Sequence, residues 1–346
     1  MTGVYIFLAL LLMGFIITAH EFGHYAAGRI VGIAIDEFSI GFGPKIKQWE
    51  KSGIKYTIRC IPMGGYVKYI GEDEENSDPR AYNNQSVWKR FVSVISGAMM
   101  NFILAYLITV IVAMCFGVQQ TVPVIAGFTE GFPAKTSGLM TGDVITAVNG
   151  EPISYDIDGF YKMGALLNMH DAAQPVKIDI RRGDGELSYT VDLGVTESGA
   201  KQIGVMIGAD FIQLSLAEAL PWSIEFDISL VKSMLIGLRD LIFKGEGIND
   251  TMGPVGIIGF VSENIKRGVD VMLELVLIIS LNLGIMNMLP FPALDGGRLV
   301  LLLVEAIRRK PIDRDKEGLT HLIGFGILMV FVVIITYKDI VRLVTG

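Results

Sequence analysis

Charge is scarce in this chain. Only 19% of its 346 residues are Asp, Glu, Lys or Arg, against about 25% in an ordinary soluble protein. Cysteine is nearly absent, with two residues, and histidine is rare, with four. Low charge beside 51% hydrophobic content excludes a disordered chain and a nucleic-acid-binding arm. Cys60 and Cys115 cannot build a disulfide framework. Cys115 falls in an apolar run, so both read as small apolar residues without a redox role.

What charge there is comes in blocks. No Asp, Glu, Lys or Arg occurs over residues 1–20, 91–129 or 318–337, and 271–294 holds one, Glu274. A bilayer core takes about 20 apolar residues as a helix, so four membrane spans are expected. Residues 118–218 carry six Lys/Arg and thirteen Asp/Glu, a balance of −7 that equals the net charge of the whole chain. One segment is therefore acidic and soluble in character, and the rest is balanced.

Basic residues in short loops mark the cytoplasmic side. Residues 29–90 hold ten Lys/Arg, and Arg308, Arg309, Lys310, Arg314 and Lys316 follow the third span. Both loops are expected inside, with the N-terminus, the acidic segment and the C-terminus outside. The first apolar run has no basic leader and no Ala-x-Ala-like site, so it reads as a span rather than a cleaved signal peptide.

The spans divide the chain. Residues 1–117 hold spans one and two, with a β element at 32–70 between them. There, period-2 alternation flanks a Lys51-Ser52-Gly53 turn and predicts a hairpin, with Pro62-Met63-Gly64-Gly65 breaking its second strand. The loop 71–79 reads as solvated. Residues 118–213 read as a compact α+β domain: strands near 122–125, 143–148, 176–180 and 188–191, helical pieces at 133–138 and 157–169. Residues 214–268 mix charge with apolar residues, which suits a helix lying at a membrane surface. Residues 269–346 hold spans three and four.

The chemistry concentrates at His20-Glu21-Phe22-Gly23-His24. On a helix, positions i and i+4 share one face, so both imidazoles reach one metal, and Glu21 stands beside them to act on water. The motif ends a span, where ionisable residues are costly and by default functional. Catalytic zinc takes three protein ligands. His170 lies in the acidic domain and His321 stands alone at the start of span four, so both read as ordinary polar residues. Of the carboxylates, Glu274 lies at the far end of span three, about 30 Å from the motif. Asp295, in Leu294-Asp295-Gly296-Gly297, ends on the same side as His20 and His24. Asp295 is the expected third ligand.

Together these motifs resemble the site-2 protease family of intramembrane zinc metalloproteases, in its bacterial RseP/RasP-like branch. The resemblance runs from end to end. HEFGH sits in the first span. SGAMMNF, with Gly97 and Asn101, is similar to the family's G-x-x-x-N element. NLGIMNMLPFPALDGG is similar to its N-P-x-P-x-L-D-G element, with Asp295 as third ligand. AKTSGLMTGDVITAVNGEPI resembles a PDZ domain inserted between spans two and three. Ala98 departs from the proline often found after that glycine, and the single PDZ-length insert matches the shorter type.

The resemblance implies a polytopic α-helical membrane protein of four transmembrane helices. It carries an inserted α+β PDZ domain and a membrane-associated β-hairpin. It implies a multi-pass plasma-membrane enzyme of a bacterial cell with its active site near the cytoplasmic face and its PDZ domain outside. Its cofactor would be Zn2+, held by His20, His24 and Asp295, with Glu21 catalytic. Asn282, Asn287, Asn101 and Gly43 would serve substrate binding. The partners would be single-span membrane proteins, such as anti-sigma factors, or remnant signal peptides. A peptide ligand of the PDZ domain and the lipid bilayer complete the set, with no nucleic acid. Two rivals stand beside this. A catalytically inactive PDZ-containing scaffold is disfavoured because Glu21 and all three ligands are present. A metal transporter is disfavoured because four spans show no inverted repeat.

Overall fold

The structure is a computed structural model that describes residues 2–72, 74–196, 199–247 and 251–345. Asp73 of the acidic loop, Glu197, residues 248–250 and the side chain of Arg314 lie outside the described residues. The chain forms two compact units, residues 1–112 with 220–346 and residues 113–219.

The first unit begins with α1 (Thr2–Val31), followed by β1 (Ile35–Lys51), β2 (Ile54–Tyr69) and α2 (Val87–Cys115). β1 and β2 pair antiparallel about the Ser52-Gly53 turn, where both residues have positive φ. The first part of β1 is paired twice. Glu37 lies opposite both Lys68 and Lys55, and Ile40 opposite both Gly65 and Ile58. Residues 37–40 therefore sit between two stretches of β2, and 65–69 form an outer row. Extended backbone is continuous through Pro62-Met63-Gly64-Gly65, yet the pairing changes sides there, at the expected break. Residues 37–40 run alongside 55–58 in the same direction and against 65–68, so the chain reverses between these two stretches, where Gly64 takes a φ of +95°.

The second unit contains β3 (Val118–Phe128), β4 (Val144–Val148), β5 (Glu151–Pro152), α3 (Ile157–Met169), β6 (Val176–Arg182) and β7 (Gly185–Val191). Then come β8 (Gly194–Val195), β9 (Lys201–Gln202) and β10 (Val205–Ile212). The main sheet has the order β10-β3-β4-β6-β7, with β5 beside β4. Alternate residues of β6, Val176, Ile178 and Ile180, are fully buried and meet Met163 and Leu167 of α3. Asp156 caps α3 by accepting from Gly159 N at 2.8 Å.

The first unit resumes with α4 (Leu216–Lys244), α5 (Pro254–Asn264), α6 (Val269–Asn287), α7 (Asp295–Arg308) and α8 (Arg314–Thr345). The buried side of α4 packs on the helices of its own unit. Leu230, Val231 and Met234 join the core of Leu12, Ile16, Ala105 and Leu281, and Thr109 Oγ1 of α2 donates to buried Asp227 at 2.7 Å. Among the described residues, four helices are long and apolar enough to cross a membrane: Gly3–Val31, Val87–Cys115, Val269–Asn287 and Lys316–Arg342. Large apolar side chains on α8 stand exposed, among them Phe325, Val330, Phe331 and Val333. Such a surface is stable in lipid and a liability in water.

Candidate metal centre

Three elements meet at one point. α1 supplies His20 and His24, one helical turn apart, with ring centroids 4.8 Å apart and edge to face. α7 supplies Asp295 at its first residue. The chain reaches α7 through a turn, Pro290 to Leu294, in which Ala293 takes a φ of +80°, a strained conformation for a residue with a Cβ. His321 Nδ1 of α8 accepts from Ala293 N at 3.0 Å and holds that turn. Asp295 thus begins its own helix instead of ending the third span. The two prolines cannot continue α6, and the break turns the carboxylate back toward α1.

The donor atoms converge. Asp295 Oδ2 lies 3.2 Å from His20 Nε2 and 3.3 Å from His24 Nε2, and the two Nε2 atoms are 3.2 Å apart. All the donor atoms of this group lie within 4.8 Å of one another. Asp295 Oδ2 is buried with no hydrogen-bond partner. Both imidazoles turn Nδ1 away from this point and toward α2. His24 Nδ1 is 2.8 Å from Ser93 O, and His20 Nδ1 is 3.2 Å from Asn101 Nδ2. Two nitrogens and one carboxylate oxygen aimed at a common centre are a donor set that fits zinc and leaves a fourth position open.

Close approach of α2 makes this possible. A Cβ on Gly97 would lie 2.2 Å from His24 Nε2, so only glycine lets the ring occupy its place. Glu21 stands next to His20 on α1 and faces the outer row of β2. Its Cγ lies 3.5 Å from where a Gly65 Cβ would be.

A cavity of about 590 Å3 opens beside Asp295, lined by Glu72, Tyr82, Arg298, Glu317 and His321 among others. Arg298, one turn after Asp295, pairs with Glu72, and Arg90 of α2 pairs with Glu305 of α7 at 2.5 Å. These two ion pairs hold α7 at its first turn and near its C-terminal end.

The other expected site residues are dispersed. Asn101 is fully buried, its amide against His20 and its backbone carbonyl accepting from Ser280 Oγ at 2.8 Å. Asn287 is the last residue of α6 and half-buried, and Asn282 is exposed one turn earlier. Gly43 is exposed on β1, with φ +84°, and its carbonyl accepts from Arg59 Nη1 at 2.9 Å. Glu274 is exposed on α6. His170 faces Asn149 Nδ2 at 3.1 Å inside the second unit. His321 is more than an ordinary polar residue, because it braces the turn that carries Asp295. Only its tertiary contact reveals that; one histidine after a charged loop gives no signal in sequence.

A paired-histidine helix and a carboxylate from a broken helix, set among apolar helices, define a membrane-embedded metallohydrolase. Sequence comparison gives the family. The profile of peptidase family M50 matches residues 8–331. A Clostridium perfringens protein named as a zinc metalloprotease is 33% identical over 339 residues, covering 98% of this chain and 99% of its own length. The regulator of sigma-W protease RasP of Bacillus subtilis is 28% identical over 418 residues, covering 96% and 97%. The PDZ domain of an SdrC-like protein from Listeria monocytogenes aligns with 24% of this chain and 84% of its own, at 20% identity and a TM-score of 0.22. The chain belongs to peptidase family M50, the site-2 proteases. It is a multi-pass membrane protein and a zinc metalloendopeptidase.

Proposed function

We propose that this chain hydrolyses a peptide bond within the membrane segment of single-span proteins, in regulated intramembrane proteolysis. The substrates are anti-sigma-factor-like proteins or remnant signal peptides already shortened outside. The name of the Bacillus subtilis relative, a regulator of sigma-W, supports the first class. The observation that carries the reading is the convergence of His20, His24 and Asp295 beside Glu21 on helices apolar enough for a membrane.

A peptide bond inside a helix is shielded by the helix's own hydrogen bonds, so the substrate must be unwound. The outer row 65–69 of β2 pairs only toward β1 among the described residues and runs past Glu21. It is suited to receive an extended substrate as an added strand. Irregular backbone at membrane depth is tolerated where it lines a water-filled cavity. Zinc, held by His20, His24 and Asp295, supplies a Lewis acid that polarises a carbonyl and acidifies water. Glu21 takes the proton of the attacking water and delivers it to the leaving amine. Asn287, with Asn282 and Gly43, binds the substrate backbone.

The basic loops orient the molecule, with the metal centre near the cytoplasmic face and the acidic unit outside. That unit, read as a PDZ fold over 118–213, acts as a size filter or a peptide sensor, and 214–268 links it back to the membrane. Glu21→Gln in cells carrying a tagged single-span substrate is the test. The substrate stays full-length if Glu21 works as described, and unchanged cleavage rejects the assignment in favour of a binding scaffold.

A further inference from the structure

His20 presents Nε2 to the metal centre, so its other nitrogen, Nδ1, must carry the ring proton when the metal is held. That N–H needs an acceptor. The group 3.2 Å from Nδ1 is the side-chain amide of Asn101, which is fully buried. In the structure the amide nitrogen faces Nδ1, and the amide oxygen Oδ1 is buried without a hydrogen-bond partner. A donor there suits a ring protonated at Nε2, the tautomer that cannot bind metal. A half-turn of the amide exchanges nitrogen and oxygen at almost the same positions, and Oδ1 then accepts from Nδ1–H.

We infer that Asn101 is the positioning residue of His20: its amide oxygen accepts the Nδ1 proton and locks the imidazole with Nε2 toward the metal. This assigns Asn101 to the support of a ligand instead of the substrate backbone. The partner histidine has the same support in another form, since His24 Nδ1 lies 2.8 Å from the Ser93 carbonyl. A backbone carbonyl can only accept, whereas an amide can turn. Asn101 thereby couples the ring's tautomer to occupancy of the centre. Acceptors of this kind fix ring orientation and raise ligand basicity, and their loss typically weakens metal affinity about 10–100-fold.

The inference rests on His20 being a ligand, and the experiment separates the two. Zinc affinity is measured by chelator competition on the purified full chain in detergent, with the cobalt(II) absorption spectrum recorded beside it. Asn101→Leu keeps the volume and removes the acceptor; it should bind zinc roughly 10–100-fold more weakly and shift the cobalt bands. Asn101→Asp keeps an acceptor and should hold zinc close to the unmodified chain. Ser280→Ala removes the donor to the Asn101 backbone carbonyl and should leave the metal unaffected. Wild-type affinity in Asn101→Leu overturns the inference, as does equal loss in Asn101→Asp and Asn101→Leu. His20→Ala is the reference: if it retains zinc, the ligand assignment falls and the inference with it; if it loses zinc, the Asn101 result stands or falls alone.

Discussion

At the scale of single residues the centre is a problem of distance. His20 and His24 were legible because helical spacing makes i and i+4 neighbours, and Asp295 because a carboxylate beside two glycines after an apolar run has few other uses. Their supports were not legible. Ser93 acts through its backbone, His321 through a turn 28 positions away, and Asn101 through a contact between two helices. None of these leaves a local pattern. Gly97 is the tightest constraint, with no room for a Cβ beside His24. Gly97→Ala should displace that ring, lowering the zinc content of the purified chain and cutting turnover roughly 100-fold, the effect of about 1 Å of misplacement. Full zinc content with normal turnover would show that α2 can retreat at no cost.

At the scale of elements the hairpin brings its outer row beside Glu21. Its interior holds a buried carboxylate, Glu37, which accepts from Thr57 Oγ1 at 2.5 Å and Arg59 Nη2 at 3.1 Å. Arg59 also donates to the Tyr66 hydroxyl at 2.6 Å and to Ser39 Oγ at 2.8 Å. Burial raises the Glu37 carboxyl, and hydrogen bonds from Thr57, Tyr66 and Arg59 more than offset it, leaving it below its ordinary value. Arg59→Ala leaves a buried carboxylate short of its cation, a loss of order 3 kcal/mol. It should loosen the outer row beside Glu21. Peptide cleavage then falls while zinc affinity is unchanged, which is read from titration and turnover on one preparation. The alternation of residues 54–61 announced the hairpin. The double pairing of 37–40 was hidden, because two β2 stretches flank this row, one on each side, and no local pattern announces the second. The long α4 was ambiguous for a related reason: its charges suited a membrane surface, yet Asp227 is buried against Thr109.

At the scale of the whole molecule the chain is two bodies with different solvents. The apolar excess belongs to the helical unit, and the acidic balance to the sheet-and-helix unit, which was visible in the charge blocks. The second unit has its own lock. Asp143, 1% exposed at its side chain, accepts from Arg182 Nε and Nη2, both at 2.7 Å. Burial pushes the Asp143 carboxyl up, but the Arg182 hydrogen bonds outweigh burial and hold it below the usual range. A depressed folded value means that the stabilisation is present above the unfolded value near 3.9 and is lost as pH falls through the folded value. Hydrogen exchange in residues 118–212 should therefore quicken only in strong acid. Asp143→Asn should lower the opening free energy there by roughly 2 kcal/mol at neutral pH, with zinc binding intact. A uniform change across both units would mean that they open as one.

The most direct test of the account is to map the cleaved bond. Purified chain and a single-span substrate are reconstituted in lipid vesicles, with Glu21→Gln as the blank, and the products are sequenced by mass spectrometry. The account predicts new termini inside the apolar segment of the substrate, absent from the blank. Termini confined to the substrate's soluble parts, or the same products from the blank, would contradict it.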